Sequence, residues 1–400
     1  LHHYILTIRT LCGKIHQLFF HIFHHPPKSP ECPGNRNLLI LLTGFFIIFH
    51  ELYAIFSGPL ILRPLNATQV RRYLDVRRNL VNRELQRLVG PGRPATIYDP
   101  LRHTLSSGGK RLRALLVLLA SNAVGGGDAA AVPAAVAIEC LHNFTLIHDD
   151  VMDRSPVRRG KPTVHTKWNV AVAVLAGDHL LALGYRALLG GGRGGPGVAA
   201  RERGGAGRML SAFTRAFRDV CEGQGYDLEF EARRSVTMRE YRRMIDLKTA
   251  RVIAAAAEIG AIAGGGSAPQ VKALRTYGER LGLAFQIRDD VLDVTGTAKE
   301  FGKKIGADIA RGKKTYLLVK SLELARGKDA ALLRSVARGM GAGRIARVRE
   351  VYERTGAVAA AGREIARLTG GARSALASLP GGPGKEILLD FAGALAGRTV

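Results

Sequence analysis

Two five-residue strings hold residue types able to do chemistry together. Asp149-Asp150-Val151-Met152-Asp153 and Asp289-Asp290-Val291-Leu292-Asp293 repeat one DDxxD pattern, 140 residues apart. Each closes a strongly apolar run, 141–147 and 281–287. On a helix, residues four apart project about 40° from one another. Asp149 and Asp153 therefore share one face, as do Asp289 and Asp293. Three carboxylates so close repel one another and raise one another's proton affinity. A cation removes that penalty. Oxygen donors without His or Cys suit a hard ion such as magnesium, which keeps waters and bridges to phosphate groups. One such string carries little weight, because solvated acidic helix ends are common. Two, on apolar helices and beside basic partners, carry much more.

The basic partners are present. Gly108-Gly109-Lys110-Arg111-Leu112-Arg113 sets a glycine turn at a helix start, where unpaired amides and the helix dipole attract phosphate. Lys110 and Arg113 lie three apart, a helical spacing that turns both toward one anion. Arg158 and Arg159 follow the first Asp string in a loop bounded by Pro156 and Gly160, and guanidinium groups suit bidentate phosphate binding. Lys248, Lys303 and Lys313 are further candidates. Taken alone, Lys110 reads as a solvated surface residue, and each of the other three reads equally well either way.

The elements that must position these groups read as helices. Thr68 is a cap for a helix through Val70, Leu74, Val81, Leu85 and Leu88, ended by Pro91, Gly92 and Pro94. Helices are expected over 112–124, 132–153, 171–189, 209–231, 238–263, 270–294 and 315–325, and onward to the C-terminus. Residues 190–207 hold nine glycines in eighteen positions and read as a flexible loop. No stretch alternates with period two between hairpin turns. The expected class is all-α.

Composition agrees. The chain has 400 residues, 46% apolar and 6% aromatic, enough for a large core and too apolar for disorder. The net charge of +26 raises nucleic acid as a partner. The basic residues are scattered, mostly Arg, and lack interleaved aromatics for stacking bases, so no nucleic-acid partner is expected. Cys12, Cys32, Cys140 and Cys221 have neither metal spacing nor a disulfide framework, which fits a reducing, cytoplasmic setting.

Residues 1–65 differ from the rest, with seven of the twelve histidines and a nearly continuous apolar run over 37–65 broken by His50 and Glu51. The chain begins with Leu, and its first Met is Met152. Three readings stand: translated upstream sequence with the true start near Leu65, a membrane or interfacial anchor over 38–62, and histidine metal binding. The first is preferred. The working division is an apolar, His-rich extension over 1–65 and one domain over 66–400.

Within that domain, Glu139-Cys140-Leu141-His142-Asn143-Phe144-Thr145-Leu146-Ile147-His148-Asp149-Asp150, followed by Arg158-Arg159-Gly160-Lys161-Pro162-Thr163-Val164-His165, closely resembles trans-isoprenyl diphosphate synthases. So do Gly223-Gln224-Gly225-Tyr226-Asp227-Leu228, Lys248-Thr249-Ala250, Phe285-Gln286-Ile287-Arg288-Asp289-Asp290 and Gly302-Lys303-Lys304-Ile305-Gly306-Ala307-Asp308. The likeness runs in family order from about Asn66 to the C-terminus.

The resemblance implies an antiparallel helical bundle of isoprenoid synthase type around a deep central cavity, and a homodimer. It implies that isopentenyl diphosphate is bound by Lys110, Arg113, His142 and Arg159. The allylic diphosphate would sit on two or three magnesium ions, replaceable by manganese, held by Asp149, Asp153 and Asp289. Asp150, Asp290 and Asp293 stand in support, and Arg158, Lys248 and Lys303 supply further positive charge. Thr249 and Gln286 match positions lining the reacting centre. His148 has no such match and is left to structure. The reaction implied is ionisation of the allylic diphosphate, attack by the isopentenyl double bond and loss of a proton to the released diphosphate.

Product length would be set by what blocks the tunnel below the first Asp string. Phe144 lies five residues before Asp149, about 7.5 Å along a helix axis. Thr145 is small, and Leu141 lies one turn further down. This combination resembles archaeal short-chain enzymes that make geranylgeranyl diphosphate. Farnesyl diphosphate synthesis, or a mixed C15/C20 activity, is the alternative. A noncatalytic partner subunit would be expected to lose one Asp string, and a terpene cyclase would carry an Asn/Ser/Glu motif at the second. Both strings are intact. The departures from the family are the glycine-rich loop and a C-terminus without a basic tail.

Overall fold

The computed structural model describes residues 66–190, 205–296 and 306–396. Asn66 starts the first helix, α1 (Ala67–Val89): its side chain accepts from the Gln69 amide, and the Gln69 side chain accepts from the Asn66 amide. The expected cap, Thr68, lies inside the helix, because Asn66 has the partner three residues on that completes the reciprocal pair. α2 (Ala95–Leu105), α3 (Leu112–Ala123) and α4 (Asp128–Met152) follow. α3 is buried on nearly every face, from Ala114 to Ala123, as its unbroken apolar sequence requires. It packs against α4, α9 (Arg251–Ala263) and α16 (Pro383–Ala396).

α4 lies along α6 (Val170–Leu188), with the short α5 (Val164–Lys167) between them in sequence. Both α4 and α6 are long and apolar enough to cross a membrane, yet α4 is 72% buried within the fold and reads as a core helix. α7 (Gly205–Ala232) begins inside the stretch expected to be loop, so Gly205 and Gly207 are helical. α8 (Met238–Ile245), a π-helical segment (Asp246–Ala250), α9 and α10 (Ala268–Thr295) complete the inner bundle. The outer layer is α11 (Ala307–Arg311), α12 (Tyr316–Leu324), α13 (Gly327–Val336), α14 (Ile345–Arg354) and α15 (Ala357–Ala375).

α10 joins two apolar clusters. Its first half, with Leu274, Tyr277 and Leu281, packs into the α3–α4–α9 core. Its second half, with Ala284, Ile287 and Val291, packs with α8 and α12 to α15. That placement carries Asp289, Asp290 and Asp293 to the C-terminal end of a helix anchored on both sides. The expected all-α class holds. Among the described residues the one sheet is a ribbon of two-residue strands, β1 (Val157–Arg158) and β2 (Lys161–Pro162). The N-terminal extension, its membrane reading over 38–62 and Lys303 lie outside the described residues.

Candidate active site

The first Asp string ends α4, and Asp153 is the residue that caps it, its amide donating to the Asp149 carbonyl at 2.8 Å. Burial pushes the Asp149 carboxyl up, opposed by the Lys248 ammonium, while the charges of Asp153 and Asp227 add to the rise. Asp150 is turned aside: it is buried, and its Oδ1 accepts from Arg158 Nε at 2.8 Å. The β ribbon exists to aim the two arginines. Arg159 and Gly160 both take left-handed conformations, φ 53° and 75°, as the tightest hairpin turn demands. Arg159 Nη1 then donates to the Gly108 carbonyl, joining the ribbon to the glycine turn.

Arg111 clamps that turn from beneath. It sits in a left-handed conformation at φ 51° and is 5% exposed. Its guanidinium donates to Glu139 Oε1 at 2.9 Å, Asn82 Oδ1 at 3.0 Å and the Leu105 carbonyl at 2.6 Å. Arg113 is thereby presented on the first turn of α3, with Nη1 3.1 Å from His142 Nε2. Burial holds His142 well below its usual value, and Arg113, Arg159, Arg158 and Arg111 push the same way. The imidazole is neutral, so Nε2 accepts from Arg113 and the proton sits on Nδ1. Lys110 is exposed and precedes α3, which starts at Leu112. Helical spacing therefore does not place it beside Arg113. A recess opens beside these groups, lined by His103, Asn143, Asp150, Arg158 and Arg159 among others.

The stretch 238–263, expected as one helix, is broken by the π segment that contains Lys248 and Thr249. An i→i+5 turn inserts a residue and re-aims the side chains around it, a common device at functional sites. Gly223 of α7 lies directly against this segment: a Cβ there would overlap the backbone nitrogen of Lys248. One turn further along α7, Asp227 Oδ2 accepts from Lys248 Nζ at 2.6 Å, with Lys313 Nζ at 4.0 Å. Burial raises Asp227, but Lys313 and Lys248 outweigh it and hold the carboxyl below its usual range.

At the second Asp string, Asp290 is buried and fully engaged. It accepts from the Tyr241 hydroxyl at 2.7 Å, the Tyr316 amide at 2.8 Å and Gln286 Nε2 at 3.0 Å. Gln286 Oε1 accepts in turn from Thr249 Oγ1 at 2.8 Å, which locks α10 to the π segment. Burial pushes Asp290 up to about 6 despite the Tyr241 and Tyr316 donors. Burial and the neighbouring Asp308 charge push Asp293 up to about 6 as well. Asp289, half-buried, lies close enough to Arg113 to support its charge.

Lys313 lies within electrostatic reach of both strings. Burial should depress it, yet the carboxylates of Asp227, Asp308, Asp290 and Asp153 outweigh that and hold it well above its usual value. Those carboxylates come from both Asp strings, from α7 and from α11. Sequence reasoning did not name Asp227, Tyr241 or Arg111 as site residues. Asp227 falls four residues after Gly223 in a string already singled out, and that spacing on one helix face was the available signal. Below the site, Phe144 and Leu141 are buried, and the Thr145 hydroxyl donates to the His142 carbonyl at 2.8 Å.

Comparison with known proteins places this geometry. The polyprenyl synthetase family profile matches residues 94–355. A short-chain isoprenyl diphosphate synthase of Methanothermobacter thermautotrophicus is 44% identical over 266 residues, 66% of this chain and 78% of its own. A geranylgeranyl diphosphate synthase of Methanosarcina mazei is 40% identical over 243 residues, 61% of this chain and 72% of its own. The crystal structure of a geranylgeranyl pyrophosphate synthetase from Pyrococcus horikoshii superposes with a TM-score of 0.77 at 34% identity, covering 83% of this chain and 99% of that one. With its two Asp strings and its basic turn gathered at one end of a helical bundle of isoprenoid synthase type, the chain belongs to the polyprenyl synthetase family.

Proposed function

We propose that this chain is a trans-prenyltransferase that condenses isopentenyl diphosphate with C5 to C15 allylic diphosphates and delivers geranylgeranyl diphosphate. The observation that carries the reading is the Lys248–Asp227–Lys313 cluster, with contacts of 2.6 and 4.0 Å, whose positive charges act on carboxylates of both Asp strings. Two acidic ends facing one charged centre are what a bound diphosphate requires.

The residues fit magnesium. Every donor in the two strings is a carboxylate oxygen, and burial destabilises Asp149 and Asp293 as anions, a penalty a nearby divalent ion relieves. Among the described residues no three His, Cys, Asp or Glu side chains close on one point. Magnesium takes one or two carboxylates together with waters and phosphate oxygens. Asp149 and Asp153 from the first string and Asp289 from the second would share two or three such ions between them, with manganese as a substitute. When bound, they neutralise charge that builds on the departing diphosphate.

The protein's own groups do the rest. Arg113, His142, Arg159 and Lys110 take the diphosphate of the homoallylic substrate. The neutral His142 donates from Nδ1 and cannot act as a base through Nε2, which Arg113 occupies. Lys248 and Arg158 face the allylic diphosphate, and Lys303 adds to them. As the allylic C–O bond breaks, these cations stabilise the leaving group. The isopentenyl double bond forms the new C–C bond with the allylic carbon, and a C2 proton then passes to the released diphosphate. Thr249 and Gln286, tied to each other, line the reacting centre, and holding both substrates face to face supplies much of the rate.

The test is incubation with isopentenyl diphosphate, each allylic diphosphate in turn and magnesium, followed by sizing of the dephosphorylated alcohols. C20 alcohol is expected; no elongation with any primer refutes the reading. Phe144→Ala is expected to lengthen the products, and an unchanged product removes Phe144 as the stop. A homodimer in the cytoplasm is part of the same proposal, resting on the family and on cysteine usage, with membrane contact through 38–62 where that segment is present.

A further inference from the structure

Phe144 does not stand alone. His148, one helical turn on, meets its ring edge-to-face with centroids 4.6 Å apart and planes at 62°. Phe217 of α7 meets it from another side at 5.5 Å and 77°. His148 is itself pinned between helices: Nε2 lies 3.2 Å from the Val174 carbonyl and 3.8 Å from Asp178 Oδ1, both on α6. With a carbonyl as acceptor, Nε2 carries the proton. The seat for this ring is Gly177, where an added Cβ would overlap the imidazole. Phe217 in turn lies one turn before Cys221, whose thiol is raised by burial and by the Asp149 charge. α7 thus runs beside the α4 face that leads from Phe144 to the first Asp string.

We propose that product length is set by a three-ring clamp, in which His148, seated over Gly177, and Phe217 fix the position of the Phe144 ring. His148 is a positioning residue: it touches neither substrate nor leaving group, and acts through Phe144. This inference rests on the chain-elongation reading above. On its helix alone the Phe144 side chain has more than one staggered rotamer open to it. Contact on two sides removes that freedom, so the floor presented to a growing chain stays in one place. Losing one support lets the ring swing toward the vacated side and admits a longer chain.

The test is the alcohol ladder from His148→Ala and Phe217→Leu, each made alone and with Phe144→Ala. Losing one edge-to-face pair is expected to raise the ratio of C25-and-longer to C20 product by about 2- to 10-fold. KM for isopentenyl diphosphate is expected to stay at the wild-type value, since its site lies at Arg113 and His142. In the Phe144→Ala background neither change should lengthen the product further, because both act through the missing ring. If His148→Ala does not fold, Phe217→Leu, which keeps apolar bulk, carries the test. Wild-type product length in both single variants overturns the clamp, as does extra elongation in the double variants. A wild-type protein that makes no C20 alcohol is a different result, and strikes the functional reading itself.

Discussion

Asp227→Asn tests the charge arrangement most directly. The substitution keeps shape and removes the one anion shared by Lys248 and Lys313. The Lys248 contact is 2.6 Å long, between side chains 21% and 14% exposed, so it counts as a desolvated, charge-assisted bond contributing about 1.5–3 kcal/mol. Lys313 is 4.0 Å away and 35% exposed, and solvent screening reduces its share to about 0.2–1 kcal/mol. If the Lys248 share is expressed as lost alignment of the ammonium in the transition state, kcat falls about 10- to 100-fold. The assay is steady-state condensation with each allylic primer varied against saturating isopentenyl diphosphate, then the reverse. The loss should fall on kcat and leave KM for isopentenyl diphosphate unchanged, because Arg113 and His142 hold that substrate without Asp227. Inhibition by added inorganic pyrophosphate should strengthen, since two lysines have lost their internal counter-ion. A wild-type kcat, or a loss confined to the isopentenyl KM, would show that Asp227 does not aim Lys248.

Three further outcomes follow from the same geometry. Tyr241→Phe removes one of three donors to the buried Asp290 carboxylate; urea unfolding should show a loss of about 1–3 kcal/mol, with kcat lowered as Gln286 loosens. Gly223→Ala forces a methyl against the Lys248 backbone and should cost about 1–3 kcal/mol by overpacking, together with activity, because the strain falls on the π segment. His142 has a folded-state value well below 6.5, so the unfolded chain binds more protons than the native one. Its contribution to stability is therefore complete above about pH 6.5 and is lost as pH falls below it. A pH series of denaturation midpoints should slope downward into acid, and His142→Gln should flatten that slope.

Much of this architecture was legible because helical periodicity and apolar runs are strong signals. α3 and α4 appear in sequence as continuous apolar stretches, and the Asp strings fall at helix ends where such stretches stop. What stayed hidden has physical causes. A π turn differs from an α turn by one inserted residue and leaves no compositional trace, so 238–263 read as a single helix. Arg111 and Arg113 look alike in sequence; only the left-handed backbone at Arg111 sends its guanidinium inward to Glu139. The β ribbon escaped notice because Arg159-Gly160 is an unusual pair for a tight hairpin, tolerated here because the Arg159 side chain is tied to Gly108. Asp227, one of five acids on an amphipathic helix, resembles a solvated residue until Lys248 is brought across to it. The height of Phe144 on α4 followed from spacing, but its ring partners come from sequence-distant or unremarked positions.

The same helical geometry explains why each string needs two adjacent aspartates. Neighbouring residues on a helix point about 100° apart, so Asp149 and Asp150 cannot both face the substrate, nor can Asp289 and Asp290. The first and last acids of each string share a face. The middle one is turned into the surrounding helices, where a bare carboxylate would be costly; in the second string Asp293 is buried as well, its Oδ2 accepting from the Asp308 amide at 3.2 Å. The structure fills both middle positions the same way: Asp150 and Asp290 are each 5% exposed, and each is bonded to groups from other elements. Asp150 takes Arg158 and so fixes the ribbon that also carries Arg159. Asp290 takes Tyr241, Tyr316 and Gln286 and so fixes α8, α12 and the Thr249–Gln286 pair. One acid of each adjacent couple thus serves the reacting centre while its neighbour secures the basic and polar groups opposite. The doubling is a consequence of the 100° step, and it ties the two kinds of charge in the site to the same helix turn.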